Sequence, residues 1–508
     1  MSTKNGHGID KLETGITGFD FIAYGGLPRG RTTLVSGTAG SAKTVFATQF
    51  LAEGIRQSGE AGVFITFEES PDDIRDNMAG FGWPIEEWEK EGRWAFVDAS
   101  PLPGEYMIES GSYDLGALLA RIEHAVNRVS ARRLSMDSLG AILMRFGAKS
   151  MVRTELVRII LAIKSLGVTA VLTSECEDDH SMVGRFGVEE FVADNVVILR
   201  NILEAEKRRR TIEILKFRGT LHQKGEFPFT VLPEQGIVII PLSAMELKQR
   251  SSDIRITSGN SELDAMCGGG FFRDSVVLVS GATGTGKTLM TSEFIAGGLA
   301  NGERCLLFAF EESREQLFRN AGGWGMDFQH KEGEGRLMVV CEYPEVFGLE
   351  DHLIRMKAVI EEFKPNRVAV DSLSALERVS VTKSFREFVI SLSSFIKHQE
   401  IAGLFTATTA SLMGGTSVTE THISTITDSI ILLRYVEMLG EMKRALTVLK
   451  MRGSLHDKEI REFSIDHQGM HIGRPFRNTS GIMAGHPQHF SPDEIDRLNR
   501  MFTDGRDL

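Results

Sequence analysis

The chain of 508 residues repeats itself once. The segment ETGITGFDFIAYGGLPRGRTTLVSGTAGSAKT, which begins at Glu13, aligns with TSGNSELDAMCGGGFFRDSVVLVSGATGTGKT, which begins at Thr257. Further pairs follow in the same order: VFITFEES with LLFAFEES, RRLSMDSLGAI with NRVAVDSLSAL, and TIEILKFRGTLHQKG with ALTVLKMRGSLHDKE. A repeat of this length predicts two homologous domains. We place them at 1–245 and 246–480, followed by a tail at 481–508.

Short apolar runs alternate with helix-length amphipathic stretches in each half. The first half offers TTLVSG, VFITFEE, RLSMDS, TAVLTSE and NVVILR as buried strands. Such alternation predicts parallel strands joined by helices, which is the α/β class. Ligands of such sheets bind at the carboxyl ends of the strands. We therefore expect two tandem α/β domains, each a mostly parallel sheet flanked by helices.

A complete phosphate-binding pattern lies in the second half, in SGATGTGKT at 280–288. The glycines let backbone N–H groups surround phosphate oxygens, and the helix that follows adds positive potential. Lys287 would neutralise the outer phosphates and Thr288 would bind Mg²⁺. The predicted ATP-binding residues of this loop are Gly281, Ala282, Thr283, Gly284, Thr285, Gly286, Lys287 and Thr288.

The first half carries the same loop with one departure, because Ala42 stands where the second glycine belongs. The residue before the lysine begins the helix, so we expect a negative φ there, which alanine tolerates. We therefore predict that this loop still binds ATP, less tightly or equally well. Its predicted ATP-binding residues are Gly37, Thr38, Ala39, Gly40, Ser41, Ala42, Lys43 and Thr44.

Carboxylates follow the predicted strands at matching places of the two repeats. Asp137 and Asp371 end apolar strands, where an acid can hold a metal together with Thr44 or Thr288. The pairs Glu68–Glu69 and Glu311–Glu312 can polarise an attacking water, with Glu311 also a candidate metal ligand. Successive strand residues point to opposite faces, so one glutamate of each pair is expected to reach the water. Lys43 and Lys287 complete the predicted catalytic set.

Two cations late in each half are spaced to share one face of a strand, as in KFR at 216–218 and KMR at 450–452. They are Lys216 with Arg218, and Lys450 with Arg452. We interpret them as cationic fingers, side chains that reach the γ-phosphate bound by a neighbouring subunit. The simpler alternative is that they form a solvated face of the strand. The basic run from Lys207 to Arg210 is interpreted as interface or solvated charge.

Composition narrows the possible partners and compartment. A formal net charge of −12 argues against nucleic acid, because duplex binding relies on phosphate neutralisation by Lys and Arg. Four scattered cysteines without C-x-x-C spacing fit a reducing compartment better than disulfides or zinc. The N-terminus lacks the apolar segment of a signal peptide, and no apolar run could span a membrane. We expect a cytoplasmic protein.

The doubled P-loops, the doubled FEES, VLKMRGSLHDKEIREF and THISTITDSIILLR resemble the KaiC family of circadian-clock ATPases over essentially the whole chain. The resemblance implies two RecA-like domains in a two-tiered homohexamer, with ATP between subunits in both rings. It implies ATPase activity in the first half, and serine/threonine autokinase and autophosphatase activity in the second. The phosphorylated residues would be Ser424 and Thr425. Trp324 would lie against the adenine, and His222 and His456 would join the ATP-binding set.

The resemblance also implies a KaiB-type partner on the N-terminal ring. The tail departs from the family's, so a KaiA-type partner is not favoured. Ser491–Pro492 predicts a helix start, and Ile495, Leu498, Met501 and Phe502 would form an apolar stripe after it. That helix could dock on its own fold, dock a partner or self-associate.

Two other functions share the P-loop fold and stay open from the residues alone. One is a RecA- or helicase-like motor on single-stranded DNA, against which stand the acidic charge and the lack of a basic loop bearing aromatics. The other is an ATP-bound scaffold whose hydrolysis is incidental. The halves also differ where GVEEFVADNVVILR aligns with THISTITDSIILLR, because Glu190 and Phe191 stand opposite Ser424 and Thr425. Only the second half offers hydroxyls there, although ISTIT could instead be a threonine-rich strand.

Overall fold

The computed structural model describes residues 9–100, 115–143, 149–176, 192–204, 207–240, 252–409, 423–438, 440–477, 479–482 and 488–489. The chain divides into two compact units, Met1–Ala244 and Met245–Leu508. Ser491–Phe502 and the pair Glu190–Phe191 lie outside the described residues. In the described part, no helix is long and apolar enough to cross a membrane.

The first unit alternates strands and helices along most of its length. Its strands are β1 (Lys11–Leu12), β2 (Leu27–Pro28), β3 (Thr32–Gly37), β4 (Gly62–Thr66), β5 (Trp94–Asp98), β6 (Arg133–Asp137), β7 (Thr169–Glu175), β8 (Asn195–Glu204), β9 (Lys207–Phe217), β10 (Glu226–Leu232) and β11 (Gly236–Ile239). Its helices are α1 (Phe19–Ile22), α2 (Lys43–Ser58), α3 (Pro71–Met78), α4 (Ile85–Lys90), α5 (Leu115–Val129), α6 (Leu139–Leu143) and α7 (Lys149–Ser165), with a 3₁₀ turn at Ala79–Phe81.

The second unit repeats this order. Its strands are β12 (Arg255–Ile256), β13 (Phe271–Phe272), β14 (Val276–Gly281), β15 (Cys305–Ala309), β16 (Leu337–Cys341), β17 (Arg367–Asp371), β18 (Ala402–Thr408), β19 (Ser429–Met438), β20 (Glu441–Met451), β21 (Arg461–Asp466), β22 (Gly469–Pro475), β23 (Thr479–Ser480) and β24 (Gln488–His489). Its helices are α8 (Ser261–Met266), α9 (Lys287–Ala300), α10 (Arg314–Gly323), α11 (Phe328–Gly333), α12 (Leu349–Phe363), α13 (Leu373–Arg378) and α14 (Thr382–His398), with a 3₁₀ turn at Ile423–Thr425.

The large sheets of the two units have the same topology. Within the described residues their orders are β5-β4-β6-β7-β3-β8-β9-β10-β11 and β16-β15-β17-β18-β14-β19-β20-β21-β22. The strands from β5 to β8, and from β16 to β19, run parallel, and the last three strands of each sheet run antiparallel. The prediction of two tandem, mostly parallel α/β domains is confirmed.

The central strand of each sheet is buried along its whole length. Every residue of β3 and of β14 is buried, as expected for parallel strands with helices on both faces. Each of these strands leads directly into a phosphate loop and then into a long helix, α2 or α9. This arrangement places both loops at the carboxyl ends of their sheets, where the sequence predicted them.

The serine of each FEES motif begins a helix. Ser70 caps α3 and Ser313 caps α10, and in both helices a capping box links the serine to the third helical residue, Asp73 or Gln316. This reciprocal pairing fixes where the chain turns after each glutamate pair. The glutamates are thereby held between the end of a strand and the start of a helix.

Candidate active sites

The phosphate loop of the second half has the conformation that anion binding needs. Gly284 and Gly286 both have positive φ, at 78° and 110°, and left-handed residues among right-handed ones turn successive N–H groups inward. The ammonium group of Lys287 lies over the loop and donates to the carbonyl oxygens of Gly281 and Ala282, both at 2.9 Å. Burial lowers the pKa of Lys287, and the nearby carboxylates of Asp371 and Glu311 oppose that shift.

The loop of the first half has the same contacts. Lys43 Nζ donates to the carbonyl oxygens of Gly37 at 3.0 Å and Thr38 at 2.9 Å. Gly40 has a φ of 73°, close to that of Gly284. The two loops therefore present the same cradle, and their lysines lie in the same place.

The expected conformation of Ala42 was wrong. Its φ is 71° and its ψ is 29°, in the left-handed region, and it stands as the N-cap of α2 rather than as its first helical residue. Gly286 at the same place has a φ of 110°. An alanine in this region costs about 1–2 kcal/mol, because its Cβ crowds the backbone carbonyl. The substitution therefore strains the backbone itself, which the sequence argument had excluded.

A carboxylate ends β6 in the first unit and β17 in the second, each two strands away from the strand that leads into the phosphate loop. Asp371 accepts hydrogen bonds from the hydroxyls of Thr406 and Thr288, and burial raises its pKa. Asp137 accepts a hydrogen bond from Thr173. Among the described residues, no group of three or more His, Cys, Asp and Glu side chains could hold a metal by itself. This donor set suits Mg²⁺ that is held chiefly by phosphates and water, with a hydroxyl as protein ligand.

The two glutamates of the first half face different partners. Glu68 Oε1 accepts a hydrogen bond from the Ser138 hydroxyl at 3.3 Å. Burial raises the pKa of Glu68, and the charges of Glu175 and Asp137 raise it further. Glu69 Oε2 instead accepts from the amide of Asn77 at 3.0 Å. Glu68 is thus the glutamate that faces the carboxylate and lysine cluster.

In the second half an asparagine again binds the second glutamate, but here it is this second glutamate whose pKa is raised. Glu311 Oε1 accepts a hydrogen bond from Arg378 at 2.7 Å, which is also an ion pair. Glu312 Oε2 accepts from Asn320 Nδ2 at 3.2 Å. Burial raises the pKa of Glu312, and the charge of Asp371 raises it further.

Sequence reasoning missed Ser138, Asn77, Asn320, Glu175 and Arg378. The two asparagines carried a signal, because each stands eight positions after its glutamate in the aligned repeats. Arg378 and Glu175 have no such partner in the repeat, since Met144 and Thr408 occupy their places. Their positions beside the glutamates come from the folding of the chain.

The predicted cationic fingers lie at the opposite edge of each sheet from the loops. Lys216 Nζ donates to the carbonyl oxygen of Ala193 at 2.9 Å, and Arg218 lies 3.8 Å from Asp194. In the second half, Lys450 Nζ donates to Thr427 O at 2.7 Å. Arg218 is half exposed, so it can turn toward another molecule.

Ser424 and Thr425 belong to the 3₁₀ turn that precedes β19. The alternative interpretation of this segment as a threonine-rich strand was wrong, because the strand begins at Ser429. Thr425 is exposed, and its carbonyl oxygen accepts a hydrogen bond from Arg452 at 2.8 Å. Arg452 also lies 3.7 Å from Asp428, so one arginine ties this turn to the start of the strand.

The remaining predicted ATP-binding residues are Trp324, His222 and His456. Trp324 is the C-cap of α10 and packs, partly buried, against the core of the second unit. His222 contacts its neighbour Gln223 through Nδ1, at 2.9 Å from the carbonyl oxygen. His456 is half-buried in the equivalent loop after β20. Their roles toward ATP stay predictions.

The family model described as "ATPase: KaiC" matches the chain twice, at residues 12–244 and 256–476. The chain belongs to the KaiC family of ATPases. It is 69% identical over 495 residues to the circadian clock protein KaiC3 of Synechocystis sp., covering 97% of this chain and 98% of that one. It is 54% identical over 500 residues to the circadian clock oscillator protein KaiC of Thermostichus vulcanus, covering 98% and 96%.

Membership of the KaiC family supports nucleotide binding and ATPase activity of this chain. The two matched regions are the two units that carry phosphate loops, so the repeat, the fold and the family agree. A DNA motor is not favoured by these relatives. The identification by resemblance is confirmed.

Proposed function

We propose that this chain is a KaiC-like timing or signalling protein that binds ATP with Mg²⁺ at both loops. Its first half would transfer the γ-phosphoryl group of ATP to water. Its second half would also transfer it to Ser424 or Thr425, and remove it again. The observation that carries this proposal is the exposed turn that holds Thr425 in the second half, tied down by Arg452.

The position of this turn supports transfer between subunits. Strands β14 and β19 are parallel, and Asp428 N donates to the carbonyl oxygen of Val276, the first residue of β14. The turn therefore lies beyond the amino end of β14, whereas the phosphate loop follows its carboxyl end. Six residues of strand separate the two by roughly 16 Å. The loop of the same chain cannot reach Thr425, so the phosphoryl donor would be ATP on a neighbour.

The cationic fingers also lie at the amino edge of the sheets, away from the phosphate loop of their own chain. Lys216 and Arg218 donate toward residues that precede β8, at the amino edge of β3. Lys450 and Arg452 occupy the matching edge of the second sheet. Such cations complete a phosphate site only on an adjacent subunit. We therefore propose a homohexamer with ATP at its subunit interfaces, and keep a KaiB-type partner on its N-terminal ring as a proposal.

The chemistry needs a hydroxyl, a leaving group and a base. ATP with Mg²⁺ supplies the γ-phosphoryl group when bound. The hydroxyl oxygen of Ser424 or Thr425 forms the new P–O bond, ADP leaves, and the hydroxyl proton passes to a carboxylate. Glu311 or Glu312 of the donor subunit can accept that proton.

Mixing two variants tests the transfer between subunits. Lys287→Ala chains keep the acceptor hydroxyls and lose the donor site. Ser424→Ala, Thr425→Ala chains keep the donor site and lose the acceptors. We expect neither variant alone to gain phosphate at 424–425 after incubation with ATP. In co-assembled chains we expect mass spectrometry to find phosphate on the peptide that covers 424–425 of the Lys287→Ala chain.

Peptides that cover 185–195 in the first half serve as an internal control and should stay unmodified. Phosphate on the double variant elsewhere in the second half would contradict the assignment of the acceptors. Absence of phosphate from the mixture, with phosphate present on the unaltered protein, would contradict transfer between subunits. Light scattering at saturating ATP should find a hexamer, and a monomer would remove the proposed role of the fingers.

A further inference from the structure

The carbonyl oxygen at the apex of each phosphate loop is held by a different donor. In the first half, Arg210 Nε donates to Gly40 O at 3.3 Å. In the second half, the hydroxyl of Tyr435 donates to Gly284 O at 2.6 Å. Gly40 and Gly284 occupy the same place in the repeat. One carbonyl is thus bound by a charged guanidinium and the other by a neutral phenol.

The donors come from the same pair of positions in the two sheets. Asn201 stands opposite Arg210 in the β8–β9 ladder, and Tyr435 stands opposite Arg444 in the β19–β20 ladder. Both pairs therefore combine one arginine with one residue that faces the loop. The second half also has an arginine at this position, Arg444, but Tyr435 makes the hydrogen bond to the loop carbonyl.

The tyrosine ring stands between Arg444 and the loop. The Arg444 guanidinium lies 5.6 Å from the centroid of the Tyr435 ring, a cation–π contact. Among the described residues, Arg444 Nε has no hydrogen-bond partner. The arginine that would reach the loop carbonyl thus stacks on the phenol that replaces it.

Both side chains stand close against the loop backbone. A Cβ on Gly284 would lie 2.9 Å from the Tyr435 hydroxyl, and a Cβ on Gly40 would lie 3.2 Å from Asn201 Nδ2. On its sheet side, the apex of each loop therefore packs directly against a side chain of the sheet, Tyr435 or Asn201. The carbonyl of the apical glycine points to the sheet side, and the N–H of the same peptide unit donates back into the loop, from Thr285 N to Ala282 O and from Ser41 N to Thr38 O, both at 3.3 Å.

We propose that Tyr435 and Arg210 are positioning residues for the two phosphate loops. Each would fix the carbonyl of the peptide that follows the apical glycine, and with it the turn that leads into the N–H groups of residues 286–288 and 42–44. A hydrogen bond accepted at the carbonyl also polarises the N–H of that peptide and strengthens the bond that this N–H makes inside the loop. The donor of the first half is charged but its bond is the longer one, at 3.3 Å against 2.6 Å. The inference rests on the proposed binding of ATP at both loops.

Single-site backgrounds in the full-length protein separate the two loops. Lys43→Ala leaves the second loop to be measured, and Lys287→Ala leaves the first. The probe is a fluorescent ATP analogue with Mg²⁺, titrated at equilibrium. In the Lys43→Ala background we expect Tyr435→Phe to raise the dissociation constant about three- to tenfold, the effect of one neutral hydrogen bond. In the Lys287→Ala background, Arg210→Gln should raise it by a similar factor, because the lost bond is charged but long.

Two further variants separate positioning from general structure. Tyr435→Asn rebuilds the arrangement of the first half, so Arg444 can reach Gly284 O and affinity should return to within about twofold of the parent. Tyr435→Phe keeps the ring, so the thermal midpoint of the nucleotide-free chain should stay unchanged. In the Lys287→Ala background Tyr435→Phe should have no effect on binding.

Parent-like affinity in both Tyr435→Phe and Arg210→Gln overturns the inference. A Tyr435→Phe variant that loses as much folding free energy as binding free energy also overturns the inference, because the residue would then only stabilise the fold. Absence of binding in the Lys43→Ala parent would instead contradict the proposed occupancy of the second loop. The parent titration therefore distinguishes a failure of the inference from a failure of the proposed function.

Discussion

The guanidinium group of Arg367 lies directly against Gly298 of helix α9, where a Cβ would come within 2.6 Å of Arg367 Nε. Arg367 is completely buried and pairs with Glu303. It also donates to the carbonyl oxygens of Thr257 at 2.7 Å and Phe294 at 2.9 Å. One side chain thus connects the segment after β12, helix α9 that follows the phosphate loop, and strand β17.

The first half repeats this contact. A Cβ on Gly54 would lie 2.3 Å from Arg133 Nε, and Arg133 donates to the carbonyl oxygens of Phe50 and Glu13 at 2.9 and 2.8 Å. Both glycines are therefore required by packing rather than by backbone conformation, since each is an ordinary helical residue. A buried arginine can cross beneath the helix only where the helix has no side chain.

Gly298→Ala should lower the free energy of unfolding of the second half by about 3–5 kcal/mol, the cost of displacing a buried ion-pair partner. The calorimetric transition of that half should move to lower temperature. Gly322→Ala in α10 is the matched control, because no atom lies within 4 Å of a Cβ there. The control should be neutral or more stable by up to about 1 kcal/mol. Equal midpoints for both variants would contradict the packing role.

The sequence was sufficient for the repeat, the sheet class and the loops, because each rests on periodicity and on motifs that local rules control. It failed at Ala42, because the last residue of a phosphate loop is an N-cap in the left-handed region and not yet helix. It also failed to find Arg133 and Arg367, because a single charged residue at a strand start normally indicates exposure. Their burial depends on glycines far along the chain, which no local pattern reveals.

Exchanging the residues before the two lysines should move the two halves in opposite directions. Ala42→Gly removes the cost of alanine at a φ of 71°. The larger entropy of glycine in the unfolded chain offsets part of this gain. The free energy of unfolding of the first half should therefore rise by up to about 1 kcal/mol. Nucleotide binding at the first loop should tighten or stay unchanged.

Gly286→Ala is the mirror control. Its φ is 110°, and a Cβ would lie 2.9 Å from Ile465 Cδ1, so the second half should lose stability and bind nucleotide more weakly. Calorimetry and single-site titrations give both quantities. A first half destabilised by Ala42→Gly would show that the alanine methyl contributes more through packing than it costs in strain.

Buried Glu293 should make the second half less stable at pH 7 and above than at pH 4.5. Burial raises the pKa of Glu293 from 4.5 to about 7, although hydrogen bonds from Met470 N and Asn260 oppose the shift. The carboxylate accepts from Met470 N at 2.7 Å, and the nearby charged groups are His471 and Glu262. Because the folded state binds the proton more tightly, stability is full below pH 4.5 and is lost as the pH rises toward 7. The loss is at most about 3 kcal/mol.

Glu293→Gln should abolish that dependence. The glutamine keeps an oxygen for Met470 N and carries no charge, so the variant should exceed the parent in thermal midpoint at pH 8. At pH 5 the two should be similar. A stability difference that is the same at both pH values would show that Glu293 does not titrate in this range.

The two glutamates of the first site should differ in their effect on ATP hydrolysis. Glu68 accepts a hydrogen bond from Ser138 and faces the lysine and carboxylate cluster, whereas Glu69 is bound by Asn77. Glu68→Gln removes the base that would polarise the attacking water, so the rate should fall about a hundredfold or more in a Lys287→Ala background. Glu69→Gln keeps an oxygen for Asn77, and its rate should fall less than about tenfold.

The pH profile supplies an independent check on Glu68. Burial, together with the charges of Glu175 and Asp137, raises the pKa of Glu68. A base must be deprotonated to act, so hydrolysis at the first site should decline on acidification at a higher pH than an ordinary glutamate would produce. Glu175→Gln removes one of the neighbouring charges and should move that decline to lower pH. A larger rate loss in Glu69→Gln than in Glu68→Gln would reverse the assignment of the base, and an unmoved profile in Glu175→Gln would remove the carboxylate coupling.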